Sequence, residues 1–338
     1  MPDPTMLAEV RAARLVKTSP TPLELVGRSA AIARVQELVR RAALSDSGVL
    51  LVADRGADVT SVAAELHARA RRAAAPFLQV DCGSGDPSRL DQWLFGPAPE
   101  AAPVDLEPAA RDSQIAASFG GTIFLRDIAD LPASVQGRLA RIARDGEVRI
   151  DGQPVATNLR WIASATPGIE SDVQTNRFRN DLYRRLAKSR IDLPPLRDRA
   201  EDVPSLAARV LDDWCAARGQ APRTMTHAAL ALLAALTWSG NLAELRAVVE
   251  RAAQETGHDV IQIEDLLPAL NLERAPARFS PSGQLREARL RFERDYISAV
   301  LQHHGWRMAE AAATLGIQRP NLYRKARQLG IPLTRASE

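Results

Sequence analysis

The chain reads as an α/β protein: a parallel sheet with a helical subdomain behind it, followed by an all-α helix-turn-helix unit. Three observations lead there. Short apolar runs at 49–52, 77–82, 120–127 and 159–164 alternate with stretches of helical periodicity, the pattern of parallel strands covered on both faces. From Pro204 to about Leu270 every periodic segment is helical. Beyond a Pro- and Ser-containing stretch at 271–284, helical pattern returns and ends as helix, glycine turn, helix.

Composition narrows the class. A length of 338 residues suits two domains plus tails. The chain is 46% hydrophobic and 25% charged, a globular balance. No run approaches about 18 apolar residues, so no transmembrane helix and no membrane partner is expected. The start, Met1-Pro2-Asp3-Pro4, lacks the basic-then-apolar pattern of a signal peptide. Cys82 and Cys215 form neither a disulfide framework nor a metal-ligand spacing. A cytoplasmic protein is expected. Only three lysines, Lys17, Lys188 and Lys325, stand among the 44 basic residues, which points to nucleotide-composition bias and gives the arginine surplus little weight by itself.

Taken in order, residues 1–24 form a leader with Pro20 and Pro22 near its end, too short for a sensory domain. A helix is expected over 31–43, with Ile32, Val35, Leu38 and Val39 on one face. The strand at 49–52 runs through an Asp- and Gly-rich turn into a helix marked by Val62, Ala63, Leu66 and Ala70. Strand, turn, helix is the setting of the phosphate-binding loop G-x-x-x-x-G-K-[ST]. On that frame the chain reads Ala53-Asp54-Arg55-Gly56-Ala57-Asp58-Val59-Thr60, and only Thr60 matches. Asp58 puts an anion where a polyanion would sit, Val59 replaces the lysine that reaches the β/γ-phosphates, and Arg55 lies on the wrong side. The plain reading is a strand-to-helix turn that binds nothing. A second strand is expected at 77–82, loop with short helical pieces over 83–112, a third strand ending in Arg126 and Asp127, and a helix over 135–143. Asp151-Gly152, between Val148, Ile150 and Val155, signals a hairpin.

The C-terminal part carries its own pattern. An amphipathic helix is expected over 285–304, with Ala288, Phe292, Tyr296, Val300 and Leu301 as its stripe and Gly305 as its stop. A compact helix over 308–315, a turn at Gly316-Ile317-Gln318 and a helix over 319–329 follow, with Pro320 in the first turn and Gly330 as C-terminal stop. Leu322, Ala326 and Leu329 can face a core. That leaves Gln318, Arg319, Asn321, Tyr323, Arg324, Lys325 and Arg327 for a DNA groove and its phosphates. Residues 285–338 carry ten Lys+Arg against five Asp+Glu, while the rest of the chain is slightly acidic. Positive charge thus concentrates where double-stranded DNA would bind.

Several segments together resemble the bacterial enhancer-binding proteins, the sigma-54-dependent activators. They are Leu25-Val26-Gly27-Arg28, Leu94-Phe95-Gly96, 120–132, 178–186, 193–199 and Trp238-Ser239-Gly240-Asn241-Leu242, in the family's order. The resemblance implies a P-loop-type AAA+ α/β subdomain over 25–200, a helical lid over 201–270, a linker over 271–284 and a Fis-type helix-turn-helix over 285–338. It also implies ATP and Mg²⁺ as the family's ligands, and here the chain departs. Ala53, Gly56, Asp58, Val59 and Thr60 make a degenerate loop. The Asp-Glu pair that holds Mg²⁺ and orients water aligns with Arg126 and Asp127, and a guanidinium opposes a metal. The sensor-II arginine aligns with Ala243, and the sensor-I asparagine with Thr166. The Gly-Ala-Phe-Thr-Gly-Ala loop that engages sigma-54 is replaced by 97–103. Arg179 and Arg185 do match the family's trans-acting arginine fingers, or else serve as salt-bridging residues at a subunit contact.

The expectation is therefore a DNA-binding transcription regulator on an AAA+ scaffold that is not an enzyme and holds no cofactor or metal. The scaffold would serve homodimerisation, a higher oligomer, or contact with RNA polymerase. Two alternatives stand beside it: an active ATP-dependent sigma-54 activator, and an inactive subunit that modulates an intact AAA+ paralogue.

Overall fold

The computed structural model describes residues 22–83, 86–97, 105–273, 297, 301, 306, 308–314 and 319–329. They fall into two compact units, which divide between Glu273 and Arg274.

The first unit is built on a five-stranded sheet. Its strands are β1 (Val49–Val52), β2 (Phe77–Asp81), β3 (Thr122–Arg126), β6 (Arg160–Ala165) and β7 (Ser189–Asp192), in the order β2-β3-β6-β1-β7. All four pairings are parallel. Successive strand residues point to opposite faces, so Val49 and Leu51 join one core while Leu50 and Val52 join another. The first face is covered by α1 (Ala30–Ala43) and α2 (Val59–Ala68). The second is covered by α3 (Pro87–Phe95), α4 (Gln114–Ala117), α5 (Ala133–Asp145), α6 (Ile169–Gln174) and α7 (Asn180–Leu186). The hairpin expected at Asp151-Gly152 pairs β4 (Glu147–Ile150) with β5 (Gln153–Ala156).

A third core holds the helical lid, α8 (Val203–Ala217), α9 (His227–Ala234), α10 (Asn241–Glu255) and α11 (Ile263–Glu273). Leu23 and Leu196 are buried in this same core, which ties the lid to both ends of the α/β body.

Several expectations change. Leu23 and Glu24, assigned to the leader, form a buried 3-10 turn (Leu23–Leu25) of the folded body. Leu38, placed on the apolar face of α1, is 39% exposed, because the buried stripe runs through Ile32, Val35, Val39, Ala42 and Ala43. The stretch 83–112, read as loop with short helical pieces, holds a nine-residue helix, α3, started by Asp86, whose carboxylate accepts the Ser88 N–H at 2.8 Å. Nor is the lid wholly helical: β8 (Thr224–Met225) and β9 (Val260–Ile261) make a two-residue parallel ladder.

In the second unit, helices Met308–Thr314 and Arg319–Gln328 pack through Met308, Ala311, Ala312, Leu322 and Ala326, with Ile297 and Leu301 completing the core. Most of the stripe expected over 285–304, Gly305, the turn 316–318 with Gln318, and Gly330 lie outside the described residues, as do 98–104.

Candidate functional site

The loop 53–58 runs from the end of β1 to the start of α2. Asp58 is the helix N-cap: its carboxylate accepts the Ser61 N–H at 3.1 Å and the Ser61 hydroxyl at 2.6 Å. The repulsive anion read from the sequence is thus also the residue that starts the helix. The Asp58 N–H donates to Glu24 Oε2 at 2.9 Å. Glu24 is 2% exposed and is ion-paired with Arg199, 1% exposed, which also donates to the Glu24 carbonyl at 2.7 Å. Burial raises the Glu24 carboxyl above its ordinary range, and Arg199 opposes that rise. Val59 packs half-buried against the core beneath α1 and α2, and Thr60 is half-buried beside it.

The lid root presses on the same loop. The Ala243 N–H donates to the Gly56 carbonyl at 3.0 Å, and Asn241 Nδ2 donates to the Arg55 carbonyl at 3.0 Å. Asn241 Oδ1 in turn accepts the Leu196 N–H at 2.9 Å. Gly56 has φ +85°, and a Cβ there would lie 2.0 Å from the Gly240 carbonyl oxygen. Only glycine fits that approach.

At the end of β3 the charge pattern is specific. Arg126 faces Asp81 across the β2–β3 pairing, and the two form an ion pair. Asp127 is left-handed, with φ +57°, and its N–H donates to Ser164 Oγ at 3.0 Å. Burial raises its carboxyl, opposed by Arg126. Asp54 pairs with Arg197 at 2.7 Å, another link between loop and lid root. Thr166 follows β6 and is exposed.

In the second unit, helix Arg319–Gln328 turns Leu322 and Ala326 inward, as its period requires, with Leu329 packed at the rim. Arg319, Asn321, Tyr323, Arg324 and Arg327 are exposed and Lys325 is half-buried. The Arg319 guanidinium lies 5.7 Å from the Tyr323 ring centroid, and Arg324 Nη2 donates to Asn321 Oδ1 at 3.4 Å.

Comparisons with known proteins cover all of these parts. A family profile described as the sigma-54 interaction domain matches residues 25–192, one described as the AAA+ ATPase lid domain matches 197–281, and one for the Fis family of bacterial regulatory proteins matches 289–329. Nitrogen assimilation regulatory protein NtrX of Azorhizobium caulinodans is 31% identical over 332 residues, covering 95% of this chain and 72% of NtrX. The chain belongs to the sigma-54 enhancer-binding family. Transcriptional regulatory protein ZraR of Klebsiella oxytoca is 33% identical over 89% of this chain and 68% of its own length. For the Nif-specific regulatory protein of Azotobacter vinelandii the values are 32%, 87% and 56%, so the chain spans little more than half of that relative. A crystal structure of NtrX from Brucella abortus in complex with ADP matches with a TM-score of 0.63 at 29% identity, over 91% of this chain and 69% of that one.

Within this enhancer-binding chain, Arg179 caps the start of α7 and Arg185 lies in its last turn, both exposed. Arg179 makes a two-pronged pair with Asp181 at 2.7 and 3.0 Å. The loop positions singled out in the sequence, 53–60, form the turn between β1 and α2 and the first residues of that helix. Not singled out as site residues were Glu24 and Asn241, buried polar residues that bond the loop, and Arg199, the buried partner of Glu24. Arg199 and Asn241 stood inside segments already singled out; for Glu24 no local pattern exists.

Proposed function

We propose that this enhancer-binding chain is a DNA-binding transcription regulator whose AAA+ body works without ATP. One observation carries the reading: the amide of the loop that would face a phosphate is held by the chain's own buried carboxylate, Glu24. NtrX of Brucella abortus has been crystallised in complex with ADP and with ATP, so a relative does hold nucleotide. The residues of this chain do not fit that ligand. Two carboxylates, Glu24 and Asp58, use donors at the start of α2 that a phosphate needs. The lysine position is the half-buried Val59. At the metal position Arg126 brings a fixed positive charge already paired with Asp81. No catalytic step is assigned to this site.

The DNA reading rests on the second unit. Helix Arg319–Gln328 exposes Arg319, Asn321, Arg324 and Arg327 while burying Leu322 and Ala326. Arg and Asn are the side chains that pair in two-pronged fashion with guanine and adenine in the major groove. The division of labour we infer is a body over 25–200, a lid over 201–270 and a DNA reader over 285–338. A second reading is favoured by one observation, the exposure of Arg179 and Arg185: these arginines serve the ATP site of an intact paralogue in a mixed oligomer.

Selection of bound sequences from a random DNA library, with and without ATP and Mg²⁺, tests the proposal. Sequence-selective binding of equal strength in both conditions, lost on removal of 285–338, is expected. Selection that needs ATP, or that survives this removal, contradicts it.

A further inference from the structure

We infer that the Glu24 carboxylate is a built-in anion that joins the phosphate-type loop to the lid, so that α/β body and lid keep one arrangement without a bound nucleotide. The inference rests on the reading that ATP is not the ligand of this loop.

The two carboxylate oxygens of Glu24 face different parts of the fold. Oε2 accepts the loop amide of Asp58 at 2.9 Å, and Oε1 pairs with Arg199. Arg199 stands between the short 3-10 turns Leu196–Asp198 and Ala200–Asp202, which lead directly into the lid helix α8. A backbone N–H and a guanidinium converging on one small oxyanion is a geometry suited to carboxylate and phosphate alike. Both charged partners are almost fully buried, so the pair has little competition from water. A buried ion pair is costly to break from one side, because the survivor is left as an unpaired charge.

Neighbouring contacts repeat the design. Asp202 is 1% exposed and accepts the Arg28 N–H at 2.7 Å, the Ser29 N–H at 2.9 Å and the Ser29 hydroxyl. A Cβ on Gly27 would lie 2.3 Å from Asp202 Cγ, so this approach also requires glycine. From the other side of the lid, Asn241 and Ala243 hold the loop carbonyls of Arg55 and Gly56. Loop, N-terminal segment and lid root therefore meet at two buried carboxylates, with no exogenous group needed to satisfy them.

The test uses the full chain and chemical rescue. In Glu24→Ala the Arg199 guanidinium and the Asp58 N–H lose their partner, leaving a vacancy the size of a small carboxylate. The thermal midpoint of this variant should fall by about 10 °C. Sodium formate should restore about half of that loss relative to sodium chloride at equal ionic strength. The wild-type midpoint should be the same in the two salts. Glu24→Gln, which keeps the shape and loses the charge, provides the second measurement, by amide hydrogen exchange. Exchange at 56–58 and 240–243 should be about tenfold faster than in the wild type, with the sheet unchanged. A folded Glu24→Ala that responds identically to both salts overturns the inference. So does wild-type exchange at 240–243 in Glu24→Gln, whether or not the alanine variant folds. Stabilisation of the wild type by ATP and Mg²⁺ would instead count against the nucleotide-free reading, and leaves the formate result to stand or fall on its own.

Discussion

Arg160 opens β6 with its guanidinium fully buried, donating to the Leu66 carbonyl at 3.0 Å and the Ala42 carbonyl at 2.8 Å. These carbonyls belong to the last turns of α2 and α1, where the helix dipoles are negative, and they take the place of a carboxylate partner. Arg160→Met keeps volume but leaves both carbonyls without the cation, and should cost about 2–3 kcal/mol in urea unfolding. His67 lies next to this group, buried, with Nδ1 2.9 Å from Thr122 Oγ1. Burial, and after it the Arg160 charge, lowers the His67 pKa. The unfolded chain then takes up a proton near pH 6.5 that the folded chain resists, so stability should fall as pH drops through about 6.5. Urea midpoints at pH 7.5 and 5.5 should separate more for wild type than for His67→Gln. Equal separations would show that the histidine does not contribute. Neither residue announced itself in the sequence, since a lone Arg and a lone His carry no pattern until two helix ends are brought to them.

At the scale of elements, the strands buried on both faces were legible because an apolar run such as Val49–Val52 admits little else. β7 was not, because Ser189–Asp192 is a short edge strand with Arg190 and Asp192 exposed and only Ile191 inside the core. The two-residue ladder of β8 and β9 offers still less to read, since it is set by lid packing across about 36 residues of chain. The start of α2 reads as a strand-to-helix turn from the sequence, and Asp58 caps it through the local contact with Ser61, whereas the closure by Glu24 depends on a contact 34 residues away along the chain. For helix Arg319–Gln328, the proposed DNA-reading roles divide along its length. Arg324→Ala should relax preference at particular base pairs, at about 1–3 kcal/mol of discrimination. Arg327→Ala should weaken all sequences alike and reduce the salt slope by about one unit. Binding of both variants to a site library at several salt concentrations distinguishes them, and identical profiles would refute the division.

For the whole molecule, the second unit should bind a pseudo-palindrome as a two-fold dimer, with half-sites about 34–36 Å apart or a multiple of that. Alone, the chain should form no ATP-dependent open complexes with sigma-54 polymerase. Open complexes that appear only with an intact paralogue, and are lost in Arg179→Ala, would support the mixed oligomer. Val59→Lys by itself should not create hydrolysis, because on the proposed reading Arg126, in its pair with Asp81, occupies the place a metal would need. The most direct measurement is an equilibrium titration of the purified full chain with a fluorescent ATP analogue in the presence of Mg²⁺. A body closed on its own carboxylates gives no saturable binding in the micromolar range, whereas saturable low-micromolar binding displaced by ATP would contradict it.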